Sequence, residues 1–111
     1  MTWNINGNEG SSFISLDWSG SPGNHNINFF VIFLNQTELS PYVKDDDHYY
    51  NNENKLVRFL KIVNSSETFV NITDLPIAAK FVATVYMIDK NNDIYKSEKL
   101  MISTEEGGKL F

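Results

Sequence analysis

The strongest constraint on this 111-residue chain is the way apolar residues alternate with polar ones over short runs, each closed by turn residues. In SFISLDW, Ile14, Leu16 and Trp18 fall on one side of an extended chain and Ser15 and Asp17 on the other, the pattern of a strand with one face in a core. SGSPGNHN follows, and its Gly20, Pro22 and Gly23 stand where a helix would have to pass, so the chain turns there. NFFVIFL is apolar on both faces from Phe29 to Leu34 and dominated by aromatic and β-branched residues; it reads as a strand buried on both sides or feeding an interface. KLVRFLKIV carries Leu56, Phe59, Leu60 and Val63 at helical spacing, but Val57, Ile62 and Val63 favour a strand, which is the reading adopted.

TFVNITDL alternates again through Thr68, Val70 and Ile72, and KFVATVYMID continues as a longer strand after a Leu-Pro step. DKNND has the composition of a tight turn, and SEKLMISTE closes with Leu100 and Ile102 on one face. With TWNIN at the start, the expectation is a seven-stranded antiparallel β-sandwich over residues 1–104, with EEGGKLF, 105–111, as a linker or frayed tail.

Composition narrows the function classes. A chain that is 41% hydrophobic and 14% aromatic folds, and at this length it forms one domain. A net charge of -5 without basic clusters excludes nucleic acid as an expected partner. No run reaches membrane-spanning length, so membrane insertion is not expected, and MTWNINGNEGSS has neither the charge nor the apolar stretch of a signal peptide. Cysteine is absent, which removes disulfides, thiolate metal sites and thiol nucleophiles. His25 and His48 stand alone in a Gly-rich turn and an acidic loop, too few for zinc. Asp89, Asn91 and Asp93 have the spacing that begins an EF-hand loop, but Ile94 replaces the required glycine and Leu100 the twelfth-position acid, so a hairpin turn is expected. Asn35, Asn64 and Asn71 head N-x-[ST] triplets, in about the number that chance supplies to a chain this rich in asparagine. No catalytic motif is present, and the expectation is a protein without enzymatic activity or cofactor.

Several of these features occur in a familiar order. Trp3 and Ile5 lie in a first strand, Trp18 ends ISLDW, the Phe29 strand and TFVNITDL follow, and Leu75 precedes Phe81 by six residues. In this the chain resembles a fibronectin type III domain over nearly its whole length, with an immunoglobulin-like sandwich as the near alternative. That family carries a tyrosine at the corner where Phe81 stands, and it usually leaves one residue between the leucine and the proline that here are adjacent as Leu75 and Pro76. Without a hydroxyl at position 81, the resemblance implies a corner held by packing alone. It also implies facing. With Phe81 in the core, Ala83, Val85 and Met87 share its side while Val82, Thr84, Tyr86 and Ile88 look outward. The neighbouring strand would then bury Phe29, Val31 and Phe33 and present Phe30, Ile32 and Leu34 on an apolar outer face.

On the family pattern, NQTELSPYVKDDDHYYNNENK, 35–55, is an enlarged loop between the third and fourth strands. Loops of this length in compact domains are binding loops, covering loops or disordered segments, and LSPYVK has the makings of an added edge strand. Tyr42, Tyr49 and Tyr50 with Asn51 and Asn52 have a paratope-like composition, and Asp45, Asp46 and Asp47 set a negative field; the competing reading is a solvated tip whose tyrosines pack on the outer sheet. The expected function is a non-catalytic protein-binding or spacer module of a larger extracellular or cell-surface protein, of the cell-adhesion kind. Recognition would use Phe30, Ile32, Leu34, Tyr86 and Ile88 on the outer sheet and Tyr42, Asp46, Tyr49 and Tyr50 in the loop. Two alternatives are a carbohydrate-binding accessory domain, stacking sugars on Trp3 or the loop tyrosines, and a self-associating component of a viral or bacterial surface assembly.

Overall fold

A computed structural model of the chain describes residues 3–22, 26–40 and 56–106. Each alternating run forms a strand: β1 (Asn6–Glu9), β2 (Ile14–Asp17), β3 (Ile27–Glu38), β4 (Arg58–Asn64), β5 (Phe69–Ile72), β6 (Lys80–Asp89), β7 (Ile94–Lys96) and β8 (Leu100–Ser103). The described residues contain no helix. β1, β2 and β5 make a three-stranded sheet, and β4, β3, β6 and β7 make a second one in which β8 also pairs with β6. Every pairing among the described residues is antiparallel.

Among the described residues there are eight strands against the seven expected: SEKLMISTE supplies β8, and a short strand not expected from the sequence, β7, precedes it along the same edge of β6. The first strand begins at Asn6, yet Trp3 and Ile5 ahead of it are buried in the core. Gly7 lets β1 approach β8 closely: a Cβ there would come within 2.8 Å of the Ile102 side-chain tip and 2.9 Å of that of Leu100, so those side chains would have to shift. β3 runs on through Glu38, so residues 35–38 belong to the strand and the connection to β4 starts at Leu39. Tyr42, Asp46, Tyr49 and Tyr50 lie outside the described residues, as does all of 41–55.

The core lies between the sheets. Ile14, Leu16 and Trp18 meet it from one side and Phe81, Ala83, Val85 and Met87 from the other, all fully buried. Trp18 packs on Phe30 with ring centroids 5.7 Å apart, and its indole N–H donates to the Glu67 carbonyl at 2.8 Å. Stripping apolar surface from water at both sheets is the main driving force here.

The expected facing of β3 is reversed. Phe30, Ile32 and Leu34 are 1%, 0% and 0% exposed, while Phe29, Val31 and Phe33 lie half-buried on the outer surface. The reason is register: β3 pairs with β6 so that Phe30 lies opposite Met87, Ile32 opposite Val85 and Leu34 opposite Ala83, and directly opposed residues share a face. The resemblance carried no such register, and the polar residues flanking the apolar run do not supply it. Gln36 lies on the core side yet is buried, because its side chain accepts from Val57 N–H at 3.0 Å and donates to the Glu38 carbonyl at 2.7 Å. Asn28 is set off from Phe29 and Phe30 by an irregularity in the ladder between Ile27 and Phe29.

The corner before β6 is also not held by packing alone. The Thr104 hydroxyl donates to the Pro76 carbonyl at 2.7 Å and accepts from Ala79 N–H at 2.9 Å, and Thr104 N–H donates to the Ala79 carbonyl at 2.9 Å. A threonine brought in from the end of β8 thus supplies the tie that Phe81 cannot. The chain bends here through left-handed Asp74 (φ 61°) and Ala78 (φ 51°), and Ala78 N–H is secured on the Glu105 carbonyl at 3.0 Å.

Candidate functional site

The outer surface of the larger sheet is built in rows, each drawn from opposed residues of neighbouring strands. One row runs Asn64, Phe29, Ile88, Ile94, and the next runs Ile62, Val31, Tyr86, Lys96. A third holds Leu60, Phe33 and Thr84, and a fourth holds Arg58, Asn35, Val82 and Met101. Most of these positions are apolar. Several are far from buried: Leu60 is 56% exposed, Ile62 61%, Ile94 65% and Met101 69%. Phe33 and Tyr86 meet edge to face across the strands, with centroids 5.5 Å apart and planes at 80°, an arrangement that holds both rings in fixed positions at the centre of the face.

Two shallow hollows adjoin at that ring pair. One, of ≈ 280 Å³, is lined by Val31, Phe33, Tyr86, Ile88 and Ile94 and is almost wholly apolar. The other, of ≈ 350 Å³, shares Phe33 and Tyr86 but adds Asn35, Val82, Thr84, Lys96 and Lys99. Lys96 reaches over the Tyr86 ring with its ammonium 6.0 Å from the centroid, a distance at which the ring's negative face attracts a cation.

Lys99 reaches the second hollow because the last strand is interrupted. Along β7, Lys96 lies opposite Tyr86 and Tyr95 opposite Met87, whereas along β8 Leu100 lies opposite Ala83 and Met101 opposite Val82. The chain has gained one residue relative to β6 between these stretches, which is a β-bulge. Ser97 holds it in place. Its N–H donates to the Val85 carbonyl at 2.9 Å and its hydroxyl accepts from Val85 N–H at 2.9 Å, taking the position of a ladder carbonyl. Without the extra residue Lys99 would fall opposite Ala83 in the core; with it, Leu100 takes that place.

The sequence-derived candidates divide. Tyr86 and Ile88 line the outer hollows, whereas Phe30, Ile32 and Leu34 are core residues and leave the candidate set. Their places on β3 go to Val31 and Phe33. Ile62, Ile94 and Met101 carry the most exposed apolar surface of the face and were not picked out from sequence, since Ile62 sat in a run read without a facing and Ile94 fell between the turn DKNND and the strand SEKLMISTE. Trp3 is only 7% exposed and offers no platform for a sugar ring, and its indole N–H has no hydrogen-bond partner among the described residues.

The Asp89–Ile94 turn is a hairpin in which the Asp89 carboxylate serves the backbone. One oxygen accepts from Asn91 and Asp93 N–H, both at 2.9 Å, and the other from the Tyr95 hydroxyl at 3.4 Å. Partial burial, and after it the nearby Asp89 and Asp93 carboxylates, push the Tyr95 hydroxyl above its ordinary range. A further groove of ≈ 530 Å³ runs along the open side of the sandwich between β4 and β5, where the narrower sheet leaves part of β4 uncovered.

No family model and no curated protein sequence matches the chain. Solved structures do. The FN5 domain of Drosophila Lar matches with 17% identity and a TM-score of 0.61 over 95% of each chain. The FN3 domain of human collagen XX matches with 13% identity and a TM-score of 0.62, covering 92% of this chain and 88% of that one. The third fibronectin III domain of human KIAA0343 protein matches with 16% identity and a TM-score of 0.64 over 97% of this chain and 83% of that one. The likeness establishes the fold: this chain is a fibronectin type III-like β-sandwich.

Proposed function

We propose that a fibronectin type III-like sandwich with this outer face is a non-catalytic binding module, docking another protein on its larger sheet as one domain of a longer extracellular or cell-surface protein. Domains of this fold generally serve as protein-binding or spacer modules and are typically non-catalytic. They are often found in extracellular or surface proteins, and the Lar and collagen XX matches are single domains of longer chains. Fold alone does not assign function. The observation that carries the reading is the continuous apolar surface of the larger sheet, centred on the Phe33–Tyr86 pair and flanked by Leu60, Ile62 and Ile94. Contiguous exposed apolar surface of this kind is uncommon on a monomer and marks an interaction site.

The test places a photo-crosslinking amino acid at position 62 or 94, on the larger sheet, and at position 8 or 71, on the smaller one. Specific crosslinks from 62 and 94, competed by unlabelled protein and lost in a folded Tyr86→Lys variant, are expected. Equal yields from both sheets would overturn the proposal.

A further inference from the structure

The bulge and the charge distribution identify the chemistry of the partner. Although the protein carries a net charge of -5, the charged residues on its apolar face are mainly cations. Among the described residues Arg58, Lys96 and Lys99 border that face, and the one anion on it, Glu38, is matched with Lys80 at 3.8 Å. Among the described residues neither Lys96 nor Lys99 enters an ion pair. Two copies meeting face to face would bring like charges together, so the surface suits a different, acidic partner better than a second copy of itself.

Geometry adds a spacing. The apolar hollow spans the rows of Ile88, Tyr86 and Phe33, and the polar hollow the rows of Tyr86, Thr84 and Val82, so their centres lie one row apart. Successive rows lie two residues apart along a strand, roughly 7 Å. An extended segment crossing the face along β3 and β6 presents every second side chain inward, with the same repeat. An apolar residue in the first hollow therefore places the inward residue two positions away in the second, between Lys96 and Lys99 and beside the Asn35 amide and the Thr84 hydroxyl.

We infer that the second hollow is a carboxylate subsite, assembled by the bulge at Ser97, and that the partner is a protein segment in extended conformation with an acidic residue two positions from an apolar one. This inference rests on the outer face being a docking surface, and it adds a specificity element to it. β-Bulges commonly re-aim a side chain next to a functional site. Here the bulge moves one lysine from a core register to the surface, next to another that is already aligned over Tyr86.

The probes are two extended peptides of alternating Thr and Ile, identical except for Glu or Gln two positions from an Ile. Binding is followed through backbone amide resonances of the isotope-labelled protein at low salt. The Glu peptide is expected to shift Phe33, Thr84, Tyr86 and Lys99 saturably and to bind at least about threefold more tightly than the Gln peptide, as two partly exposed ion pairs allow. The preference should fade at high salt and vanish in a Lys96→Gln, Lys99→Gln double variant, whose changes are at the surface and leave folding intact. Equal binding of both peptides to this face would overturn the carboxylate subsite while leaving the docking face standing. Shifts confined to the smaller sheet, or no saturable shift at all, would overturn the inference as well; the docking face is judged separately by the crosslinking at positions 62 and 94.

Discussion

The two outer surfaces of the sandwich are made by the same rule of alternation and differ in what their side chains lack. On the smaller sheet the outward residues are Asn6, Asn8, Ser15, Asp17 and Asn71, with Phe69 as the apolar exception. Asn6 and Asn8 are open to water, and the others find partners nearby. The Ser15 hydroxyl donates to the Asn71 side chain at 2.9 Å, and the Asp17 carboxylate accepts from Ser19 N–H at 2.8 Å. On the larger sheet the corresponding positions hold Val31, Phe33, Leu60, Ile62, Tyr86, Ile88 and Ile94, whose apolar surface gains only by being covered. One face is complete as it stands and the other improves on contact. An antiparallel sheet needs a single buried face, so the second apolar face is not explained by folding.

The contrast is broken most severely by inverting it within one strand. Ile32→Lys buries a charge with no partner against Val85 and is expected to cost on the order of 4 kcal/mol or more, abolishing the cooperative melt. Ile62→Lys, on the outer side of the neighbouring strand, is expected to change stability by less than about 0.5 kcal/mol while reducing binding of a hydrophobic dye. Chemical denaturation of both variants reads the difference. A folded Ile32→Lys protein would show that the facing of β3 is wrong.

Next in size come the hydroxyls that replace backbone partners where the larger sheet meets its corner and its bulge. Thr104→Val leaves the Ala79 N–H and the Pro76 carbonyl without their partner, for an expected loss of about 2–3 kcal/mol. Ser97→Ala orphans the buried Val85 N–H, for an expected loss of about 1–3 kcal/mol. It should also weaken the hold on Lys99 and lower the preference for the Glu peptide, whereas Thr104→Val, remote from the hollow, should not. Equal effects of the two variants on that preference would sever the link between the bulge and the subsite.

Much of this architecture was legible in the chain. β2 and β5 alternate cleanly and are bounded by turn residues, so strand identity and inner face could both be read; β6 is apolar on both sides at Val82 and Ile88, and its inner face followed from the resemblance that places Phe81 in the core. β3 could be located but not oriented. When every residue from Phe29 to Leu34 is apolar the period carries no phase, and the nearby polar residues Asn28 and Gln36 fall on the same alternation as the buried Phe30, Ile32 and Leu34. An apolar outer sheet was correctly anticipated, but with the wrong residues on β3. The bulge was invisible for a different reason: it is a mismatch between two strands, and β7 and β8 taken alone show no irregularity. Thr104 as the corner's tie was equally hidden, because its partners Pro76 and Ala79 are brought to it only by the fold.

The smallest expected effect tests the polar side of the comparison. Asp17 titrates below its ordinary value of 3.8, first because the Ser19 backbone N–H donates to its carboxylate and then because the Ser19 side chain adds to it. A group whose folded pKa is depressed contributes stability that is present above the unfolded value and lost as pH falls through the folded one. The Asp17 contribution should therefore be full at neutral pH and disappear as pH drops below 3.8. Asp17→Asn removes the charge and with it this dependence, so the gap in urea midpoint between wild type and variant should narrow on acidification. Because the carboxylate is partly exposed, solvent screens it, and the gap at neutral pH should stay below about 1 kcal/mol. A gap that persists unchanged below pH 3.8 would mean that the outer face of the smaller sheet is not held by this charge, and that its polar bonds are less complete than its geometry indicates.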